Sequence, residues 1–101
     1  MRVIWKYPLE ITDLQCVMMP EHATILSVHE QNGQICLWAE VRAENTPSRR
    51  QIEIIGTGNP IEYHAPSKDG WLGGHIERRF IGTVVESRRP LVWHVFERLK
   101  P

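Results

Sequence analysis

Apolar and polar residues alternate along most of this chain, and a period of two is the pattern of β-strands with one buried face. Every second residue over 3–9 is apolar, which predicts a first strand. An apolar run over residues 14–19 predicts a second strand. The same reasoning predicts strands over residues 51–55, 80–85 and 91–96, and no stretch shows a helical period.

The dipeptide Asn32-Gly33 gives the strongest local prediction, a hairpin with a two-residue type I′ turn. Both central residues of that turn take positive φ, which Asn and Gly tolerate best. A two-residue loop also fixes the register of the flanking strands, and it leaves one face apolar and the other mixed. The register sets Val28 opposite Leu37, Leu26 opposite Ala39 and His29 opposite Cys36. The predicted buried set is Leu26, Val28, Ile35 and Leu37.

These elements predict an all-β fold, either a small antiparallel β-sandwich or a partly open barrel of six to seven strands. A chain of 101 residues is expected to form a single β domain over 1–101. Loops are expected over residues 43–50 and in a glycine-rich stretch at about 61–79, where the alternation stops. Both faces of the last strand pair are apolar, so we expect those two strands to be central and covered on each side.

The composition is that of an ordinary soluble globular protein, with 42% apolar and 24% charged residues. Twelve basic residues balance twelve acidic ones, so bulk charge does not favour nucleic acid as a partner. Residues 1–46 hold three basic and six acidic groups, and residues 47–101 hold nine and six. No apolar run could cross a bilayer and no export signal is visible, so we expect a cytoplasmic protein without membrane association. Cys16 and Cys36 should then be free thiols.

Four stretches of the sequence carry a family resemblance. They are Ile4-Trp5-Lys6-Tyr7-Pro8-Leu9, Ile54-Ile55-Gly56-Thr57-Gly58-Asn59-Pro60-Ile61, Ile81-Gly82-Thr83 and Leu91-Val92-Trp93-His94-Val95-Phe96-Glu97. Together they resemble a family of small proteins encoded by bacteriophages and prophages, whose function is uncharacterised. Where the family pattern reads Gly-Thr-Gly-His-Pro, this chain has Asn59 at the histidine. The resemblance implies the cytoplasm of an infected bacterial host and supplies no catalytic residue.

The sequence offers little for catalysis or metal binding. The Gly56-Thr57-Gly58 stretch is followed by Pro60 and no predicted helix, so it indicates a turn rather than a phosphate cradle. His29 and Cys36 would supply only half of the four ligands that a structural zinc site needs. No third group or oxyanion donor is placed beside a Cys-His pair. We therefore expect no enzyme activity, no metal and no cofactor.

Three arginine pairs, Arg49-Arg50, Arg78-Arg79 and Arg88-Arg89, are candidates for anion binding. The second pair opens a predicted strand that the third pair follows, so these two pairs should lie at opposite ends of that strand. They cannot form one anion site within a subunit. Two of the pairs sharing one end, or an oligomer joining them, remain alternatives.

The four tryptophans divide into two groups. Trp5 and Trp93 fall in apolar strand patterns and are predicted to be core residues. Trp38 falls on the mixed hairpin face and Trp71 in the glycine-rich loop, where an exposed aromatic ring could anchor a partner. The alternative is that Trp71 closes the core and that another strand covers Trp38. The predicted partner-binding residues are Trp38, Trp71, His75, Arg78 and Arg79.

The sequence favours a non-enzymatic phage accessory protein that binds a host or phage protein, for example as an inhibitor of a bacterial defence system. A homodimer is favoured over a monomer, because the first strand contains Pro8 and suits a sheet edge. The first alternative is an oligomer that binds or sequesters a nucleotide, with arginines and Trp71 converging at a subunit interface. The second alternative is a minor virion or assembly component.

Overall fold

The computed structural model describes residues 1–66 and 72–100 and shows strands in three antiparallel sheets. The strands are β1 (Arg2–Pro8), β2 (Leu14–Pro20), β3 (Thr24–Gln31), β4 (Gln34–Arg42), β5 (Pro47–Gly56), β6 (His64–Pro66), β7 (Leu72–His75), β8 (Glu77–Val85) and β9 (Val92–Lys100). A three-stranded sheet has the order β1-β4-β3, and a four-stranded sheet has the order β2-β5-β9-β8. Strands β6 and β7 pair with each other. The prediction of an all-β fold is confirmed.

The two larger sheets face each other across one hydrophobic core. Alternate residues of each strand point inward, so both sheets contribute to the same buried cluster. Its members are Leu9, Met19, Ala23, Val28, Ile35, Leu37, Ala39, Val41, Ile52, Ile54, Val84 and Val95. The Cα atoms extend only 16 Å along the shortest principal axis, as expected for two layers. Seven of the strands that the structure describes form this sandwich, in agreement with the six to seven predicted.

The hairpin of β3 and β4 follows the prediction at its turn and departs from it further along. Asn32 and Gly33 have φ values of 52° and 80°, and Val28 lies opposite Leu37. A β-bulge between Ile25 and Ser27 then shifts the register. Ile25 takes the place opposite Ala39, and Leu26 is 47% exposed, so its predicted burial is wrong. An extra residue in one strand turns the next side chain to the other face.

Two predicted loops contain strands. β5 begins at Pro47, inside the predicted loop 43–50, and the stretch 61–79 contains β6, β7 and the start of β8. The first error has a clear physical reason. The inward positions at the start of β5 are polar but satisfied: Ser48 donates to the carbonyl of Met19, and Arg50 binds Glu97. Polar residues with internal partners hide the alternation that a strand normally shows.

The environment of β8 also differs from the prediction. β9 is a central strand, but β8 lies at the edge of the four-stranded sheet, and Val85 is 64% exposed. This edge approaches β3 so closely that a Cβ atom on Gly82 would lie 3.0 Å from Cγ1 of Val28. The sandwich is thus closed between β3 and β8, which leaves β1 and β2 as the opposite edges. The edge position predicted for the first strand is confirmed.

The tryptophans and cysteines differ in how deeply they are buried. Trp93 packs against the core as predicted, whereas Trp5 is 42% exposed although it points to the inner side of its edge strand. Trp71 lies outside the described residues. Cys16 is exposed and Cys36 is buried, and both are free thiols. None of the described residues belongs to a helix long and apolar enough to cross a membrane.

Candidate functional site

Arginines from three strands meet at one end of the four-stranded sheet. The start of β5 contributes Arg49 and Arg50, the start of β8 contributes Arg79, and the end of β9 contributes Arg98. They meet because β5 and β8 both run antiparallel to β9. The resulting cleft, which we call the basic cleft, has a volume of about 550 Å³. It is lined by Arg49, Arg50, Gln51, Arg79, Glu97, Arg98 and Leu99.

Two of these four arginines are already bound within the protein. Arg50 forms a bidentate pair with the buried Glu97 and also donates to the carbonyl of Ala23. Arg98 Nε lies 2.8 Å from a carboxylate oxygen of Glu53, with its N–H poorly aligned, so this contact is an ion pair rather than a hydrogen bond.

The other two arginines, Arg49 and Arg79, are free to bind an external anion. Arg49 and Arg79 are exposed, and neither forms an ion pair with any residue that the structure describes. The basic cleft is therefore lined by two arginines, each of which could bind an anionic group from another molecule.

Arg78, the neighbour of Arg79, has a different environment because adjacent residues in a strand point to opposite faces. Its Nε and one terminal nitrogen donate to Glu53 at 2.8 and 3.3 Å. The same terminal nitrogen donates to the carbonyl of Glu62 at 2.8 Å. The guanidinium also lies 5.9 Å from the ring centres of Tyr63 and Phe96. Arg78 thus holds the segment before β6 against the outer face of the sheet.

Glu53 lies between two guanidinium groups in this network and is only 3% exposed. Burial raises the pKa of its carboxyl, but the hydrogen bonds from Arg78 and the positive charges of Arg78 and Arg98 outweigh that effect. The net pKa lies below the ordinary value of 4.5. In return, the hydrogen bond to Glu53 raises the pKa of Arg78. The Glu53 carboxyl is therefore ionised at neutral pH.

An aromatic surface adjoins the basic cleft. A second cleft of about 510 Å³ is lined by Ile61, Tyr63, His75, Ile76, Glu77, Arg78, Phe96 and Leu99, and it shares Leu99 with the basic cleft. Tyr63 is 59% exposed, and its ring stacks on His75 with a centroid distance of 6.4 Å. Phe80 packs edge-on against Phe96 and is itself 56% exposed. We call this second cleft, together with Phe80, the aromatic patch.

The predicted partner-binding residues do not all share one surface. Arg79 lines the basic cleft, and His75 and Arg78 line the aromatic patch beside it. Trp38 lies on the outer face of the other sheet, half-buried and tilted against His29 at 6.1 Å. Trp71 is outside the described residues. The pairs Arg49-Arg50 and Arg78-Arg79 lie at the same end of the four-stranded sheet, which is one of the two alternatives that the sequence left open.

The family model for a domain of unknown function, DUF7352, matches residues 1–101. This chain belongs to the DUF7352 family. No curated protein and no solved structure matches it significantly. The family description states no activity.

The sequence reasoning missed one polar cluster of this DUF7352 chain. Each ring nitrogen of His94 forms one hydrogen bond with a threonine hydroxyl. Nε2 lies 2.8 Å from Oγ1 of Thr57, and Nδ1 lies 3.1 Å from Oγ1 of Thr83. The repeated Ile-Gly-Thr tripeptide was the available signal, because its two copies, ending in Thr57 and Thr83, flank β9 from both sides. The cluster links three neighbouring strands. Within residues 1–66 and 72–100, no group of three or more His, Cys, Asp or Glu side chains is placed to hold a metal ion.

Proposed function

We propose that this DUF7352 chain is a non-enzymatic binding protein whose partner is a protein with an acidic surface segment. The observation that carries the proposal is that Arg49 and Arg79, which form no ion pair with a described residue, both line the basic cleft, Arg49 from the outer side of β5 and Arg79 from the inner side of β8. A carboxylate from a partner can bind a guanidinium group through two parallel hydrogen bonds.

The aromatic patch supports a protein as the partner. Protein interfaces are enriched in aromatic residues and arginine, and a few such residues supply most of the binding energy. Tyr63 and Phe80 are more than half exposed beside the basic cleft. A partner that covered both surfaces would place its acidic groups on Arg49 and Arg79 and its apolar groups on the two rings.

The resemblance to phage-encoded proteins supports a biological setting. In that setting the protein acts in the cytoplasm of an infected bacterium, and its partner is a host or phage protein. Inhibition of a bacterial defence system is the activity that we would test first, since a small binding protein can act by blocking a surface of its target.

Nucleotide binding is the second candidate, because the volume of the basic cleft lies within the range of small-molecule sites. Phosphates would bind the same guanidinium groups. The described residues that line the basic cleft include no aromatic ring on which a base could stack, which favours the protein partner.

The test compares a variant with Arg49→Gln and Arg79→Gln to a control with Arg42→Gln and Arg88→Gln. All four arginines are exposed, and none forms an ion pair in the described chain, so both variants lose the same charge and should keep the wild-type melting temperature. Partners are captured from host cells and purified, and the binary affinity is measured by calorimetry at several salt concentrations. We expect the cleft variant to lose about tenfold in affinity and much of the salt dependence. The control variant should bind like wild type.

Three results would contradict the proposal. Equal affinity of both variants for the purified partner would exclude the basic cleft as the docking site. Micromolar binding of adenosine or guanosine phosphates by wild type, lost in the cleft variant, would favour the nucleotide function instead. Recovery of the chain in purified phage particles would favour a virion component.

A further inference from the structure

One long edge of the sandwich lacks a neighbour. β1 pairs with β4 on one side only, and no described strand pairs with its other side. The amide of Leu9 donates to the carbonyl of Ile35 at 2.8 Å, which shows that odd-numbered residues of this segment direct their backbone groups toward β4. The even-numbered residues Arg2, Ile4 and Lys6 therefore direct N–H and C=O groups outward. Pro8, also outward, has only a C=O, so its missing donor leaves the ladder with β4 intact.

The side chains of β1 leave apolar surface at the same edge. Trp5 lies opposite Ala39 and therefore on the inner side of the sheet, yet it is 42% exposed because it stands at the edge of the sandwich. Ile4, on the outer side, is 61% exposed. An edge strand with unpaired backbone groups and exposed apolar side chains is a template for pairing with another strand.

Charged side chains usually protect such an edge, but here they lean away from it. Arg2 donates to Glu40 of β4 at 3.3 Å, and Lys6 reaches across β4 to donate to Gln31 of β3 at 2.9 Å. Both cations thus lie over their own sheet.

The other open edge, β2, offers less to a second strand. Its inward residue Met19 is 1% exposed. Near its start, the amide side chain of Gln15 is bound to both backbone groups of Glu10. The inward residues of β2 are buried or half-buried, whereas β1 leaves its inward residue Trp5 exposed.

We propose that β1 pairs antiparallel with β1 of a second copy, centred on Trp5, to join two three-stranded sheets into one of six. This register sets Trp5 opposite Trp5 of the second copy, Ile4 opposite its Lys6, and Arg2 opposite its Pro8. A register centred on Ile4 would set Arg2 against Lys6, and one centred on Lys6 would set the two lysines against each other. Of these three registers, only the one centred on Trp5 avoids like charges in direct opposition, which destabilise strand pairs. It allows six backbone hydrogen bonds, four between Ile4 and Lys6 and two from Arg2 to the carbonyl of Pro8.

Sedimentation equilibrium of the full chain tests the proposal over about 1–500 µM, a range chosen because a single strand pair makes a small and weak interface. We expect the average mass to rise from the 11.8 kDa of one chain toward twice that value. Hydrogen exchange adds a readout without any substitution. The amides of Ile4 and Lys6 should become protected as the concentration rises. The amides along the unpaired edge of β2 should not.

Two substitutions at Ile4 identify the register. Ile4→Lys places a lysine opposite Lys6 of the second copy and should weaken dimerisation at least tenfold, whereas Ile4→Glu creates two Glu–Lys pairs and should tighten it about fivefold. The control is Met18→Lys on β2, which is 51% exposed and should leave dimerisation unchanged.

Four outcomes would overturn the proposal. If the average mass stays at that of the monomer at the highest concentration, β1 does not pair with a second copy, and a strand of a different protein becomes the candidate partner for this edge. A dimer insensitive to both changes at Ile4 has its interface elsewhere, and one dissociated by Met18→Lys alone pairs through β2. Equal weakening by Ile4→Lys and Ile4→Glu excludes the register on Trp5.

Discussion

The buried position of Glu53 between Arg78 and Arg98 allows a quantitative prediction. Glu53→Gln keeps the shape of the side chain and removes its charge, so two guanidinium groups remain together without a counterion. Removing one partner of a buried ion pair costs about 3–5 kcal/mol. Because the Arg98 side chain retains 23% exposure and water can solvate it in part, we expect the lower end of that range, about 3 kcal/mol. Urea unfolding at pH 7 measures this loss directly.

The same prediction has a pH dependence with a defined sign. The pKa of Glu53 is lower in the folded protein than its ordinary value of 4.5, so its contribution to stability is complete above that pH. The contribution is lost as the pH falls through the folded pKa. The difference in unfolding free energy between wild type and Glu53→Gln should therefore shrink below about pH 4.5. A difference that stayed constant down to pH 2 would show that the charge of Glu53 is not its source.

Controls separate the loss of charge from the loss of packing. Glu44→Gln makes the same chemical change in an exposed pair with the N-terminal amine and should leave stability unchanged. A triple variant with Glu53→Leu, Arg78→Met and Arg98→Met removes all three charges and should recover most of the stability. If Glu53→Gln were as stable as wild type at pH 7, the assignment of this network as a buried counterion site would be wrong.

The remaining predictions concern the core and the aromatic anchor. Leu37→Ala should cost about 2–5 kcal/mol in urea unfolding, because Leu37 is completely buried. Gly82→Ala should cost about 1–3 kcal/mol, since the new methyl group would meet Val28 at 3.0 Å, and Val28→Ala in the same chain should reduce that cost. Trp71→Ala should weaken partner binding by about 2 kcal/mol with the melting temperature nearly unchanged. A large fall in melting temperature with intact affinity would place Trp71 in the core instead.

The sequence predicted those parts of the fold in which local chemistry and burial agree. The turn at Asn32-Gly33 needed positive φ, and the apolar face beyond it needed one register, so both were predictable. The bulge beside Leu26 was not, because neither neighbour is a glycine or another residue that marks an irregularity. The exposure of Trp5 follows from the edge position of β1, whereas alternation along the strand shows only that Trp5 points inward and not how far the opposite sheet covers it.

The candidate site was predictable only in its parts. Arginine pairs are visible in the sequence, but their meeting depends on β5 and β8 both lying beside β9, which is a property of the topology. The hydrogen bonds of His94 depend on the same arrangement. Residues that are far apart in the chain could be assigned to one site only after the strand order was known.

The arginine pairs explain how a chain with no net charge presents a basic surface. Arg49-Arg50 and Arg78-Arg79 lie in strands, where neighbouring side chains point to opposite faces, so one member of the pair can bind inside the protein while the other cannot reach the same partner. Arg88-Arg89 lies in the loop between β8 and β9, where Arg89 binds Glu86. In each pair one member binds a glutamate and the other forms no ion pair with a described residue. The bound members are Arg50, Arg78 and Arg89, and the others are Arg49, Arg79 and Arg88. Three glutamates are thereby neutralised internally and offer no negative charge to balance the remaining arginines. Two of those arginines share the basic cleft because their strands share one neighbour, and a surface with this origin depends on the fold, whatever the net charge of the chain.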